Sequence, residues 1–179
     1  MSYAPLLKAI SFAADKHRNQ KRKDQEASPY INHPIAVATV LADEGNVYDD
    51  SILMAAILHD TVEDTETTFE ELESVFGVDV AGIVRELTDD KSLPKAVRKE
   101  LQIEHAAHAS PHAQQVKIAD KICNIRDILQ SPPHDWSAER KREYLEWATK
   151  VVTGCRGVNP GLDTVYDKTI AEGIRIMEA

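Results

Sequence analysis

Apolar residues recur along this chain with a helical period almost throughout. Leu6, Ala9, Ile10 and Ala13 fall at i, i+3, i+4 and i+7, predicting a first helix from Ala4 to His17. A polar, basic stretch follows, Asn19 to Pro29. Pro34 suits the first turn of a second helix carrying Ile35, Ala38 and Leu41, with Gly45 at its end. Asp49 or Asp50 can cap a third helix, Ser51 to His59. Thr67-Thr68-Phe69-Glu70 reads as a capping box opening a short fourth helix that stops at Gly77. Further helices are expected over Asp79 to Leu87, Pro94 to Ala107, Ala113 to Leu129 and Ser137 to Val152. Asn159-Pro160 starts a last one running to Met177, and Pro132-Pro133 is a clear break. No stretch alternates with period two for long enough to demand a strand, and no Asn-Gly hairpin, internal repeat or interdomain linker occurs. The pattern predicts a single all-α domain spanning residues 1–179.

Size and charge narrow what such a domain can do. A chain of 179 residues buries about 70 % of its surface on folding, enough for a core without disulfides. The two cysteines, Cys123 and Cys155, make neither a disulfide framework nor a CxxC zinc site. Asp and Glu number 30 against 21 Lys and Arg, a net charge of −9. So acidic a chain is ill suited to wrapping nucleic acid, because phosphate neutralisation needs surplus cations. An anionic small molecule would need a local basic patch, and Lys21-Arg22-Lys23 supplies one. No secretory signal opens the sequence, and no apolar run approaches the ~20 residues of a membrane span. A cytoplasmic protein is expected.

The candidate chemistry begins at Ile57-Leu58-His59-Asp60-Thr61-Val62-Glu63-Asp64. A strongly apolar helix runs into a His-Asp pair and then an acidic pair. His59 and Glu63 are four apart, as are Asp60 and Asp64, so helical turns would set all four along adjoining ridges. Carboxylates crowded at the end of a buried helix repel one another unless a cation compensates, and a divalent metal is the simplest one. The plain alternative is a solvated acidic loop beside a core histidine. Two more segments bear on the choice: His33 in Pro29-Tyr30-Ile31-Asn32-His33-Pro34, and Asp120 inside the apolar helix Val116 to Asn124. Aspartate is a poor helix-interior residue, and on an apolar face it needs a partner. His33, His59, Asp60 and Asp120 make a mixed N/O set without sulfur, which suits a hexacoordinate Mn²⁺ or Fe²⁺ better than a structural zinc. Glu63 and Asp64 could then position or deprotonate a water. His105, His108 and His112 lack a carboxylate at ligand spacing and read as surface residues, while Cys123 reads as core.

The order H…HD…D with HDxxED at His59 to Asp64 resembles the HD superfamily of metal-dependent phosphohydrolases. Gln20 to Lys23, Pro29 to Pro34, His59 to Thr65, Ala119-Asp120-Lys121 and Asn124 together are similar to the hydrolase domain of RelA/SpoT proteins. Leu87 to Lys91 and Glu143 to Ala148 extend the likeness to the stand-alone small alarmone hydrolases of the metazoan SpoT-homologue type. The resemblance implies a helical HD bundle of about eight to ten helices, in line with the periodicity. It implies one Mn²⁺ per chain on His33, His59, Asp60 and Asp120, and an attacking water activated by Glu63 and Asp64. It implies a hydrolase of the stringent response that removes 3′-pyrophosphate from ppGpp and pppGpp, leaving GDP or GTP. NADPH 2′-phosphatase activity, or action on another nucleotide, is the alternative. Arg22 would pack on the guanine, where a planar guanidinium stacks well, and Lys23 would help hold the ligand. Asn124, Lys95, Arg140 and Tyr144 match further nucleotide contacts. Asn124 is four residues after Asp120 and so on its helical face; Lys117 and Lys121 are each a phosphate contact or a surface charge. No synthetase or regulatory domain is expected within these residues, and the oligomeric state is left open.

Overall fold

The structure is a computed structural model that describes residues 3–133 and 135–178; Met1, Ser2, His134 and Ala179 lie outside the described residues. The nine predicted helices are all present. In chain order α1 is Ala4–Lys16, α2 Asn32–Thr39, α3 Asp50–Leu58, α4 Thr61–Asp64, α5 Phe69–Phe76, α6 Val78–Leu87, α7 Lys95–Ala106, α8 Pro111–Gln130, α9 Ala138–Thr153 and α10 Pro160–Glu178. The additional element is α4, a single turn directly after His59-Asp60. Among the described residues there is no strand; Lys21 and Pro29 form one isolated antiparallel bridge that closes the basic loop. No described helix is long and apolar enough to cross a membrane.

Capping explains most helix starts. Asp49, not Asp50, caps α3, its carboxylate accepting from the Ser51 and Ile52 amides at 2.8 and 3.3 Å. Thr68 caps α5 through the Glu71 amide, so the box runs from Thr68 to Glu71, one residue later than Thr67 to Glu70. Ser110 and Ser137 cap α8 and α9. Helix α2 starts at Asn32, before the expected Pro34. A proline is tolerated within the first turn because the amides there have no intrahelical partner, and His33 is thereby held on the helix rather than ahead of it.

Two apolar clusters meet across α3. Ile52, Leu53 and Ala56 face one, built with α2, α8, α9 and α10; Met54, Ala55, Ile57 and Leu58 face the other, built with α1, α5 and α6. Burial on all sides is why residues Ile52 to Leu58 are uninterruptedly apolar rather than amphipathic. Helix α8 is the second spine. It packs against α2, α3, α6, α9 and α10, turning Ile118, Ile122 and Ile125 into the core.

A π-helical turn, Val40–Glu44, continues α2, with the Gly45 amide bonded to the Val40 carbonyl at 2.9 Å. Gly45 has an ordinary negative φ; closeness, not conformation, demands glycine there. A Cβ at this position would lie 2.8 Å from the Leu41 carbonyl oxygen and 2.9 Å from a Leu162 methyl on α10. Gly45→Ala is therefore expected to destabilise the fold by about 1–3 kcal/mol, read as a lowered midpoint in urea unfolding with an unchanged slope.

Candidate metal centre and adjoining cavity

The buried end of α3 delivers His59 and Asp60, the first turn of α2 delivers His33, and the middle of α8 delivers Asp120. Residues far apart in the chain thus converge. Ligating atoms of His33, His59 and Asp60 all lie within 4.8 Å of one another. His33 Nε2 is 3.1 Å from Asp120 Oδ1 and 4.0 Å from Asp60 Oδ2. His59 Nε2 is 3.2 Å from Asp60 Oδ2 and 3.8 Å from Asp120 Oδ1.

The surroundings orient these groups. His59 Nδ1–H donates to the Ala56 carbonyl at 2.7 Å, which leaves the Nε2 lone pair facing the centre. The Tyr30 hydroxyl donates to Asp60 Oδ2 at 2.6 Å. Asn124 Nδ2 donates to Asp120 Oδ1 at 2.7 Å, and Lys121 Nζ to Asp120 Oδ2 at 2.8 Å. Burial opposes ionisation of both carboxyls, yet the His59 and His33 rings hold Asp60 below the usual carboxylate range. Lys121 and the same rings do so for Asp120, against its burial. Burial draws the His59 imidazole down, but Asp60 and Asp120 push it up to about 9. In each case the partner charge outweighs desolvation. Two carboxylates and two imidazoles with atoms turned inward fit a borderline-hard divalent ion such as Mn²⁺ or Fe²⁺. A second bond orients His59, Asp60 and Asp120, while His33 Nδ1 is buried without a partner. Cys123 packs away from the centre, its thiol pushed up to about 12 by burial.

Two connected hollows adjoin the centre. The smaller, 180 Å³, is lined by all four donors together with Glu63, Gln102, Lys117 and Lys121. The larger, 690 Å³, is lined by Lys23, Asp64, Asp127, Trp136 and Tyr144 among others. Arg22, Tyr30, His33 and Asn124 border both. Glu63 and Asp64 therefore face different hollows. Glu63 accepts from the Asp89 amide at 3.2 Å and lies 3.6 Å from Arg98; burial raises its pKa. Asp64 accepts from Gln20 Nε2 at 3.0 Å and pairs with Lys91.

Of the expected nucleotide contacts, Arg22, Lys23, Asn124 and Tyr144 line the hollows, whereas Lys95 and Arg140 line neither. Lys95 is exposed at the start of α7. Arg140 stacks 4.5 Å from the Trp136 ring centroid and reaches Asp135 at 3.8 Å. Arg22 pairs with Asp127 and sits 5.7 Å from the Tyr30 ring centroid. Lys117 and Lys121 are both buried, which removes the surface charge from the two readings left open for each. His105, His108 and His112 are exposed, as expected.

Sequence reasoning quoted Gln20 and Tyr30 as part of the family pattern without giving them a site role, and missed Asp127 and Trp136. Asp127 was findable, seven residues after Asp120 and hence on the same face of α8. Gln20 and Trp136 lie in loops, where no periodicity points to them.

Comparison with known proteins places this geometry. An HD domain family model matches residues 9–147. The chain belongs to the HD domain family. This HD-domain chain is 54 % identical over 176 residues to the guanosine-3′,5′-bis(diphosphate) 3′-pyrophosphohydrolase MESH1 of Danio rerio, covering 98 % of each. The Homo sapiens protein of that name is 54 % identical over 160 residues, covering 89 % of each. Among solved structures, a metazoan ortholog of SpoT described as hydrolysing ppGpp superposes with a TM-score of 0.92 at 47 % identity, covering 96 % of this chain and 97 % of that one. This HD-domain protein is thus a member of the metazoan SpoT-homologue hydrolases.

Proposed function

We propose that this protein hydrolyses ppGpp and pppGpp at the 3′ position, releasing pyrophosphate and GDP or GTP, with one Mn²⁺ held by His33, His59, Asp60 and Asp120. The observation that carries the reading is the meeting of those four side chains in a hollow bordered by Arg22 and Asn124, which also border the larger hollow that Lys23 lines. The identity to proteins named for this reaction supports it. The 179 residues would act as one cytoplasmic hydrolase domain, with nucleotide as its partner and neither nucleic acid nor membrane.

In the reaction, water adds to the phosphorus attached to the ribose 3′ oxygen. That P–O bond breaks, pyrophosphate leaves, and the 3′ oxygen takes up a proton. His33, His59, Asp60 and Asp120 would hold a divalent ion, which would supply Lewis acidity toward water and the phosphoryl oxygens. The chain's residues supply the rest. Glu63, with its raised pKa, and Asp64 are proton acceptors that line the smaller and the larger hollow respectively. Arg22 offers a flat cation for a purine face, and Lys23 a mobile charge for the 5′ phosphates. Tyr144 and Asn124 border the space between.

Side-by-side turnover of ppGpp and NADPH with Mn²⁺ tests the proposal. Release of GDP and pyrophosphate, abolished by EDTA, is expected. Intact ppGpp at saturating Mn²⁺ would reject it, and phosphate release from NADPH alone would move the activity to the 2′-phosphate.

A further inference from the structure

Lys117 and Lys121 stand about one turn apart on α8, and only 8 % and 7 % of their surface is exposed. Lys121 is fully accounted for. Its ammonium donates to Asp120 Oδ2 at 2.8 Å and lies 4.7 Å from the Trp147 ring centroid. Lys117 is not. Among the described residues its ammonium makes no hydrogen bond and no ion pair, and it lines the 180 Å³ hollow that holds His33, His59, Asp60, Glu63 and Asp120.

The charged and titratable groups around Lys117 are Lys121, Cys155, Asp89 and Asp120. None neutralises it. Asp89 is occupied by Gln102 Nε2 at 2.5 Å and by Arg98 at 3.9 Å. Asp120 is held by Lys121, Asn124 and His33. Burial, and then Lys121, push the Lys117 pKa down, the signature of a cation kept against its own solvation. The ammonium is not sealed but opens onto the hollow, where a largely desolvated charge without a protein partner is still costly. The chain nonetheless keeps a lysine there rather than a Leu or Met.

We infer that Lys117 is an anion receptor of the catalytic hollow, its ammonium binding a non-bridging oxygen of the phosphoryl group that sits against the four metal donors. The ligand class is a phosphate chain, entering from the larger hollow past Arg22 and Asn124, which border both. A divalent ion on the four donors and the Lys117 ammonium would place positive charge on two sides of one phosphoryl group, around the oxygens where charge accumulates. The natural ligand rests on the proposed function; binding of the anion itself does not.

The test therefore uses inorganic pyrophosphate, measured by calorimetry on the Mn²⁺-loaded protein, with thermal unfolding and ppGpp turnover alongside. Lys117→Met keeps the apolar stem and removes the charge. Its melting temperature should equal or exceed that of the wild type, because a lone buried cation has gone. Pyrophosphate affinity and kcat/KM should each fall about 10- to 100-fold, the loss of one hydrogen bond to a charged group. Pyrophosphate affinity within threefold of the wild type overturns the inference. So does a Lys117→Met protein that fails to fold, with Lys117→Gln as the second variant, since that would make Lys117 a structural cation. A wild type that binds pyrophosphate but leaves ppGpp intact would defeat the proposed function and leave the receptor standing.

Discussion

Asp64→Asn is expected to lower kcat on ppGpp by about 10²- to 10⁴-fold while leaving the fold and the bound metal in place. The substitution is nearly isosteric, and asparagine can still accept the Gln20 amide that Asp64 holds at 3.0 Å. What disappears is the negative charge and the ability to take a proton. The pair with Lys91 also goes, but that lysine is 47 % exposed, and ion pairs open to water contribute little. Thermal unfolding should therefore shift by no more than a surface substitution does, about 0.5 kcal/mol. Metal analysis should return one ion per chain in both proteins. Near-normal turnover by Asp64→Asn would remove this carboxylate from the mechanism and leave Glu63, in the other hollow, as the proton acceptor.

His59→Ala should behave in the opposite way, losing metal, turnover and stability together. The imidazole is 6 % exposed and its Nε2 lies 3.2 Å from Asp60 and 3.8 Å from Asp120. Removing it deletes a candidate donor, opens a hole beside the second apolar cluster and leaves two largely buried carboxylates, 19 % and 15 % exposed, short of a partner. Breaking a buried charge pair costs about 3–5 kcal/mol. For a chain of this length that corresponds to a melting temperature lower by roughly 10 °C. Elemental analysis and calorimetric melting of the two proteins check both halves. Stoichiometric metal in His59→Ala would take His59 out of the donor set.

The helices were legible because their signals are local. Asp49 and Ser137 announce their starts, the Thr67-Thr68 box comes within one residue, and the apolar period carries the chain between them, though it places the start of α8 at Ala113 rather than at its Ser110 cap. The donor set was legible for a different reason: histidine and aspartate on apolar segments are chemically out of place, and His33, His59, Asp60 and Asp120 all stand out so. The illegible parts depend on tertiary contact. The π-helical turn after α2 ends at Gly45, whose backbone packs against Leu162, a residue more than a hundred positions away. Burial of Lys117 and Lys121 is equally hidden, since α9 and its Trp147 cover that face of α8 only once the helices pack. The placement of Glu63 and Asp64 on different hollows follows from α4, a turn too short for any period to reveal.

That α8 closes the candidate metal centre has a consequence for biosynthesis. A nascent chain that has emerged from the ribosome as far as α6 already displays His33, His59 and Asp60, with nothing to enclose them. Enclosure waits for Asp120, so the centre comes into being late, as the distant segments dock, and no excised peptide shorter than the span from His33 to Asp120 can contain it.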